Sequence, residues 1–462
     1  MSSQDGGSST GKFRLLSVVL IGMGVVALVQ QQFLLLRGPR LRSVAIQPIR
    51  SGAAALDVRF SRMMKRASVS QDSQLVPNQP HQWFGDQDRF RLLLDPDVVI
   101  RSPQNLVLAG QDLRGLSLVD QSLWWDPRSY LLAVVVTENG EQLQLRRRDG
   151  SWLPLSSVQQ RILQIEPLGN GQGVAFVTDN DRSELEVLLR KLTPRSLSSR
   201  AGGLAEPIPG DVQSLISDSL LFAHLSSNLR GELLVQIGGI EVGSDRTWIH
   251  SMNAKGRDLH LDNAGPIRLL PDGSGLVVPS YDGLDLLPMN PDEQASEPQS
   301  LPGSRELKSF CTGSGRALLL RNWPDYRRSI ELVIPGQPPR QVWLGESGVM
   351  AAACDNSGER IWLVLRDASP ELQDEVLLLD GSGSVLKRRL LSGWFLASGA
   401  NLDIDPSTNR LLTVMTDVEG EKRRAALIDG SDLDFEVLDP QIVLTRWLPA
   451  GGSLDDFQQV PR

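Results

Sequence analysis

Short runs of apolar residues separated by polar turns run through most of the chain, and no long amphipathic helical pattern interrupts them. The most regular copy is Ala351–Asp380: an apolar strand, a turn at Asp355-Asn356-Ser357-Gly358, a strongly apolar strand Arg360–Leu365, a polar loop and a further strand, Glu375–Leu379. Seven such units align on the turn before the most apolar strand, at Asp126, Gly169, Ser217, Pro271, Thr312, Asp355 and Asp405. Their spacing of about forty to fifty residues is the period of propeller blades. The strands after the turns, among them Tyr130–Val136, Gly173–Val177, Leu220–Leu225, Gly275–Val278 and Arg410–Met415, are continuous apolar runs. A strand covered on both faces requires that pattern. Residues 119–440 are therefore expected to form a β-propeller of about seven four-stranded blades. The third unit is the weakest, and its extra length is expected as an insertion between Ser226 and Asp245. Residues 441–462 are expected to supply a closing strand, Ile442–Trp447, and a tail.

The amino-terminal pattern differs. Residues 1–11 are Ser/Gly-rich and expected to be disordered. Leu15–Leu36 contains 22 uncharged residues flanked by Lys12, Arg14 and Arg37, long enough for a helix to cross a bilayer core. A transmembrane signal anchor over 12–37, contacting the membrane through residues 15–36, is the expectation. A cleaved signal peptide competes with it. Orientation is contested: a short basic leader favours export, whereas Arg37, Arg40, Arg42 and Arg50 would hold the following chain in the cytoplasm. Gly6–Lys12 is similar to a phosphate-binding loop, but Phe13 replaces its hydroxyl residue and no strand precedes it.

Residues 42–118 hold short strands at Ser43–Ile49, Ala55–Phe60, Phe90–Leu94 and Asn105–Ala109, punctuated by turns, which fits a small β-sandwich. The fold expected overall is all-β: anchor helix, sandwich, propeller.

Charge sharpens the picture. The net charge is -8. Residues 37–70 hold eight Lys/Arg against Asp57 alone, so the bulk of the chain is strongly acidic. Such a surface repels polyanions, and no nucleic-acid partner is expected.

Two resemblances add to this reading. Phe60-Ser61-Arg62-Met63-Met64 with Ala67-Ser68-Val69, and Leu106–Gly110 as a closing strand, resemble the bacterial Ig-like domains of envelope and surface-layer proteins. Those domains imply a spacer or adhesion role and no catalytic group. Trp124-Trp125-Asp126-Pro127 and Leu270-Pro271-Asp272-Gly273 resemble the turn of TolB-type propellers, which implies architecture more than activity.

Candidate chemistry is sparse. The four histidines, His81, His224, His250 and His260, follow no metal-ligand spacing and read as ordinary strand or surface residues. No nucleophile elbow or dinucleotide fingerprint occurs. Asp179–Glu184 offers oxygen ligands to calcium but lacks the glycine and distal glutamate of an EF-hand loop. No catalytic residue, metal site or cofactor is expected. Cys311 and Cys354 precede equivalent turns of adjacent units, and the sequence leaves two states open: a disulfide in an oxidising compartment, or two buried thiols. The leading expectation is a membrane-anchored extracytoplasmic binding or scaffold protein whose propeller face takes a protein or cell-envelope polymer. Its rivals are a propeller hydrolase acting on carbohydrate or lactone, and a cytoplasm-facing interaction propeller.

Overall fold

A computed structural model describes residues 21–32, 36–47, 52–179, 184–217, 220–239, 245–252, 256–261, 265–289, 299–367 and 372–455. The tail expected to be disordered, 1–11, lies outside these. The expected membrane span is corrected. Of residues 15–36, the described helical stretch is 21–32 with Leu36, and no described helix is long and apolar enough to cross a membrane. Residues 15–20 and 33–35 lie outside the described residues.

Two sheets built mostly from residues 41–125 share one core. The first contains β1 (Leu41–Gln47), β2 (Ala55–Phe60), β4 (His81–Asp86) and β5 (Arg89–Leu94), in the order β1-β2-β5-β4. The second contains β3 (Gln74–Val76), β6 (Gln104–Leu108) and β7 (Gln121–Trp125), in the order β7-β6-β3. Phe60, Met64, Leu92, Leu106 and Trp125 are buried between them. This β-sandwich runs seven residues past 118, because β7 pairs with β6. The strand expected to close it, Leu106–Gly110, overlaps β6, which is an inner strand paired on both sides.

Among the described residues, seven four-stranded antiparallel sheets follow, here called blades 1 to 7, with blade 7 carrying a short additional inner strand, Asp403–Asp405. Neighbouring sheets touch in chain order, and the last returns to the first. The ring closes in blade 1, where Ile442–Leu448 pairs with Tyr130–Thr137 as its innermost strand. Burial explains the continuous apolar runs. Tyr130, Leu132 and Val134 pack against blade 2, while the alternate residues Leu131, Ala133 and Val135 pack against blade 7. One polar residue in such a run would face an apolar neighbour on either side.

The turns that lead into the buried second strands share a mechanism. The carboxylate or amide oxygen of Asp126, Asn170, Asn228, Asp272 and Asp405 accepts a hydrogen bond from the backbone N–H two residues on. This Asx turn is why acidic and amide residues recur there. A left-handed residue closes the turn in blades 2 to 7, with φ of 72° at Gly171, 80° at Gly231, 73° at Gly273, 68° at Gly315, 74° at Gly358 and 52° at Asn409.

That series corrects the third unit. Its turn is Asn228–Gly231, not Ser217, which ends the outer strand Ile208–Ser217 of blade 2. Leu220–Ser227 is the first strand of blade 3, and the buried second strand is Leu233–Gly239. Part of the extra length lies earlier, between Thr193 and Ile208. There Leu197–Ser198 leaves the propeller and adds an edge strand to β7 of the sandwich. The carboxyl end does the same on the other sheet, where Ser453–Asp455 pairs with β1.

Candidate functional site at the roofed face of the propeller

The sandwich sits on the face formed by the first-to-second-strand turns. Asn356 Nδ2 donates to the carbonyl of Gly52 at 3.1 Å, Ile100 N donates to Ser407 O at 2.8 Å, and Arg360 pairs with Asp97 at 2.6 Å. Gly52 has a φ of 80°, and a Cβ there would lie 2.2 Å from Leu94 O, so only glycine presents its carbonyl this way. Between the domains, over the central channel, lies a chamber of about 210 Å³ lined by Ile46 and Ala54 above and by Phe310, Cys354, Asp403 and Trp447 below. Cys354 is disulfide-bonded to Cys311 with a Cα–Cα distance of 5.3 Å, joining the first strands of blades 5 and 6.

Below the chamber, inner strands of five blades bring charge together. Glu166 comes from blade 2, His224 from blade 3, Arg268 from blade 4, Asp403 from blade 7 and Arg446 from blade 1. Ser227 N donates to Glu166 Oε1 at 2.8 Å, and Trp447 N donates to Asp403 Oδ2 at 2.9 Å. With its amide oxygen turned toward Arg446, Asn401 accepts from both terminal guanidinium nitrogens. Burial raises the Glu166 carboxyl above its ordinary range, against the pull of Arg446 and Arg268. Burial likewise raises Asp403, opposed chiefly by Arg446. His224 is pushed down to about 3, by burial first and then by Arg268 and Arg446. It is therefore neutral at physiological pH, and its Nε2 is buried without a hydrogen-bond partner. The cluster can hold or pass a proton on either carboxyl and can attract an anion to Arg268. Among the described residues, no three His, Cys, Asp or Glu side chains are gathered closely enough to hold a metal ion.

Beside the chamber, a wider cleft of about 600 Å³ opens between the sandwich and blades 1 and 7. Six arginines line it: Arg101 of the sandwich, Arg128, Arg146, Arg147 and Arg148 of blade 1, and Arg410 of blade 7. Only Asp405 and Asp429 among its lining residues are acidic. Two of the arginines are fixed. Buried Asp126 pairs with Arg128 at 2.8 Å and Arg148 at 3.4 Å, and the Arg148 guanidinium stacks 4.0 Å from the centre of the Tyr130 ring.

Cys311 and Cys354, for which the sequence left a disulfide and two buried thiols open, are joined by a disulfide. His224, read from sequence as an ordinary histidine, instead faces the channel charges, while His81 lies in the sandwich, its Nδ1 2.7 Å from Gln79 O. Of the calcium candidate Asp179–Glu184, residues 180–183 lie outside the described residues. Sequence reasoning missed Glu166, Asp403 and Arg446. Their one signal was a charge within an otherwise apolar first strand, as in QIEPLGN, NLDIDPS and LTRWLPA. The run Arg146-Arg147-Arg148 was visible, but nothing marked it as lining a cleft.

No family model matches the chain, and no curated protein matches it. Solved structures similar to it contain propellers. TolB of Acinetobacter baumannii is 11% identical, over 76% of this chain and 80% of that one, with a TM-score of 0.42. The periplasmic gluconolactonase PpgL of Pseudomonas aeruginosa is 14% identical, over 70% and 99%, with a TM-score of 0.45. The propeller domain of the trilobed protease of Pyrococcus furiosus is 11% identical, over 75% and 95%, with a TM-score of 0.43. The propeller assignment for this chain rests on its own strand pairing.

Proposed function

We propose that this chain is an extracytoplasmic binding protein whose roofed propeller face holds a protein or cell-envelope polymer. The observation that carries the reading is the open cleft between the sandwich and blades 1 and 7, a concave surface of ligand-pocket size built from two domains. The compartment is supported by the Cys311–Cys354 disulfide, since such bonds persist where the environment is oxidising. An Ig-like identity for the sandwich is supported by its strand order. The orders β1-β2-β5-β4 and β7-β6-β3 are those of strands A-B-E-D and G-F-C in the seven-stranded constant-type sandwich.

The reading is tested with a photoreactive residue placed at Val99, which lines the cleft, and separately at Tyr326, which projects from the opposite end of blade 5. The expected outcome is a discrete cross-linked product in the envelope fraction from position 99 only. Products from both positions, or from neither, would end the reading.

A hydrolase is the second reading, favoured by the convergence of Glu166 and Asp403 with displaced titration in a channel. Under it, turnover of a panel of sugar lactones and glycosides is lost in both Glu166→Gln and Asp403→Asn. Turnover that survives both substitutions excludes it.

A further inference from the structure

The cleft at the domain junction carries more charge than its surroundings balance. Around it the protein is acidic as a whole, yet six guanidinium groups line one cavity. They divide into two kinds. Arg128 and Arg148 are braced: both pair with Asp126, Arg128 Nη1 donates to Arg101 O at 2.8 Å, and Arg148 Nη1 donates to Ser129 O at 2.8 Å. Their orientation is therefore set before any ligand arrives. The side chains of Arg101, Arg146, Arg147 and Arg410 make no hydrogen bond and no ion pair within 4 Å among the described residues. Both acidic liners are already engaged. Asp405 accepts from Ser129, Ser407 and Thr408, and Asp429 accepts from the backbone N–H groups of Ser431 and Asp432.

With six arginines against two aspartates, the lining carries an excess of positive charge, and an anion between the arginines relieves it. Arginine in place of lysine adds a planar fork matched to two oxygens of a carboxylate or phosphate. We propose that this cleft is a binding site for a polyanionic group, two or more phosphoryl or carboxylate groups carried close together on the bound partner. It is braced by Arg128 and Arg148 and recruited by Arg101, Arg147 and Arg410. The inference rests on the binding-protein reading and adds the chemistry of what is bound. The three recruiting residues come from the sandwich, the outer hairpin of blade 1 and blade 7, so the site exists only while the domains are docked.

Calorimetric titration of the full chain with tripolyphosphate and with citrate tests this. Saturable binding of tripolyphosphate assigns phosphoryl groups, and binding of citrate assigns carboxylates; either supports the site. Arg101→Ala/Arg147→Ala/Arg410→Ala is expected to weaken binding at least tenfold. The matching triple lysine variant, which keeps charge but loses the fork, falls between it and the parent. A control, Arg246→Ala/Arg327→Ala, removes two exposed arginines elsewhere and is expected to change affinity less than twofold. Thermal unfolding of the ligand-free variants, unchanged from the parent, shows that the loss is not misfolding. Binding of neither anion, or an equal loss in the control, overturns the inference. If neither anion binds but the Val99 cross-link persists, the polyanion inference fails alone. If the cross-link is also absent, the binding reading fails with it.

Discussion

The channel cluster and the junction cleft both concentrate charge on the same side of the ring, and they treat it in opposite ways. In the channel, two carboxyls and two guanidiniums are gathered half-buried, the nearby histidine is held neutral, and Glu166, Asp403 and Arg446 are bonded to backbone or amide partners. In the cleft, one sign prevails and four cations are left to solvent. The difference follows from dielectric. Out of water an unbalanced charge costs several kcal/mol, while at a solvated rim it costs little. Balance therefore marks where the fold depends on charge, and imbalance marks where charge is free to meet something else.

Substitutions can break or sharpen that contrast. The largest effect is expected in the channel. Arg446→Leu leaves Asp403 and Glu166 without their main counter-charge and should lower stability by about 3 kcal/mol, read as a shift in urea midpoint at constant m-value. A shift under a quarter of that would mean the channel charges are solvated like those of the cleft.

Acidification acts on a comparable scale. His224 has a folded pKa of about 3, below the 6.5 of an unfolded histidine, so the unfolded chain binds more protons between these values. Its contribution is fully present above pH 6.5 and is lost as pH falls toward 3, by up to about 1.4 kcal/mol per pH unit. Glu166 and Asp403 act in the other direction. Their folded values are raised, so their contribution is present at low pH and is lost as pH rises through those values. The His224 share is isolated by comparing the parent with His224→Gln, whose stability profile should be flatter between pH 6.5 and 4. Parallel profiles would show that His224 protonates without cost.

A smaller effect is expected from Glu166→Gln. Glutamine keeps the oxygen that accepts from Ser227 N, and it removes a charge that burial opposes. Stability at pH 7 should rise by up to about 1 kcal/mol. A marked loss would show that the ionised carboxylate is required. Smallest of all, Arg410→Ala in the cleft should leave unfolding within about 0.5 kcal/mol of the parent.

Much of the ring was legible because its logic is local. A short turn and the doubly buried strand after it lie within a dozen residues, and six of the seven turns were located from the sequence; an Asx bond and a left-handed residue occur together in blades 2, 3, 4 and 7. The third unit failed for a physical reason. Its true second strand, Leu233–Gly239, contains Gln236, which satisfies Ile267 N at 3.0 Å and Gly265 O at 3.2 Å of the next blade. The first strand, Leu220–Leu225, looked more apolar, yet Leu221 and Phe222 are exposed. The site was not legible, because Glu166 and Arg446 meet only through ring closure, 280 residues apart in sequence. The apolar run Leu15–Leu36 pointed to a membrane span on hydropathy alone, whereas the described helical stretch 21–32 is shorter than a bilayer core requires.

The two edge strands that cross from the propeller into the sandwich, Leu197–Ser198 and Ser453–Asp455, give the molecule a mechanical character. A pull on the chain at Leu41 meets β1 clamped on both sides, by β2 and by the carboxyl-terminal strand. The load passes in shear to residues only five positions beyond Leu448, the end of the strand that closes the ring. Tension at the amino end is thus delivered to the ring's own seam, making the roof and the closure of the wheel a single strain-bearing unit.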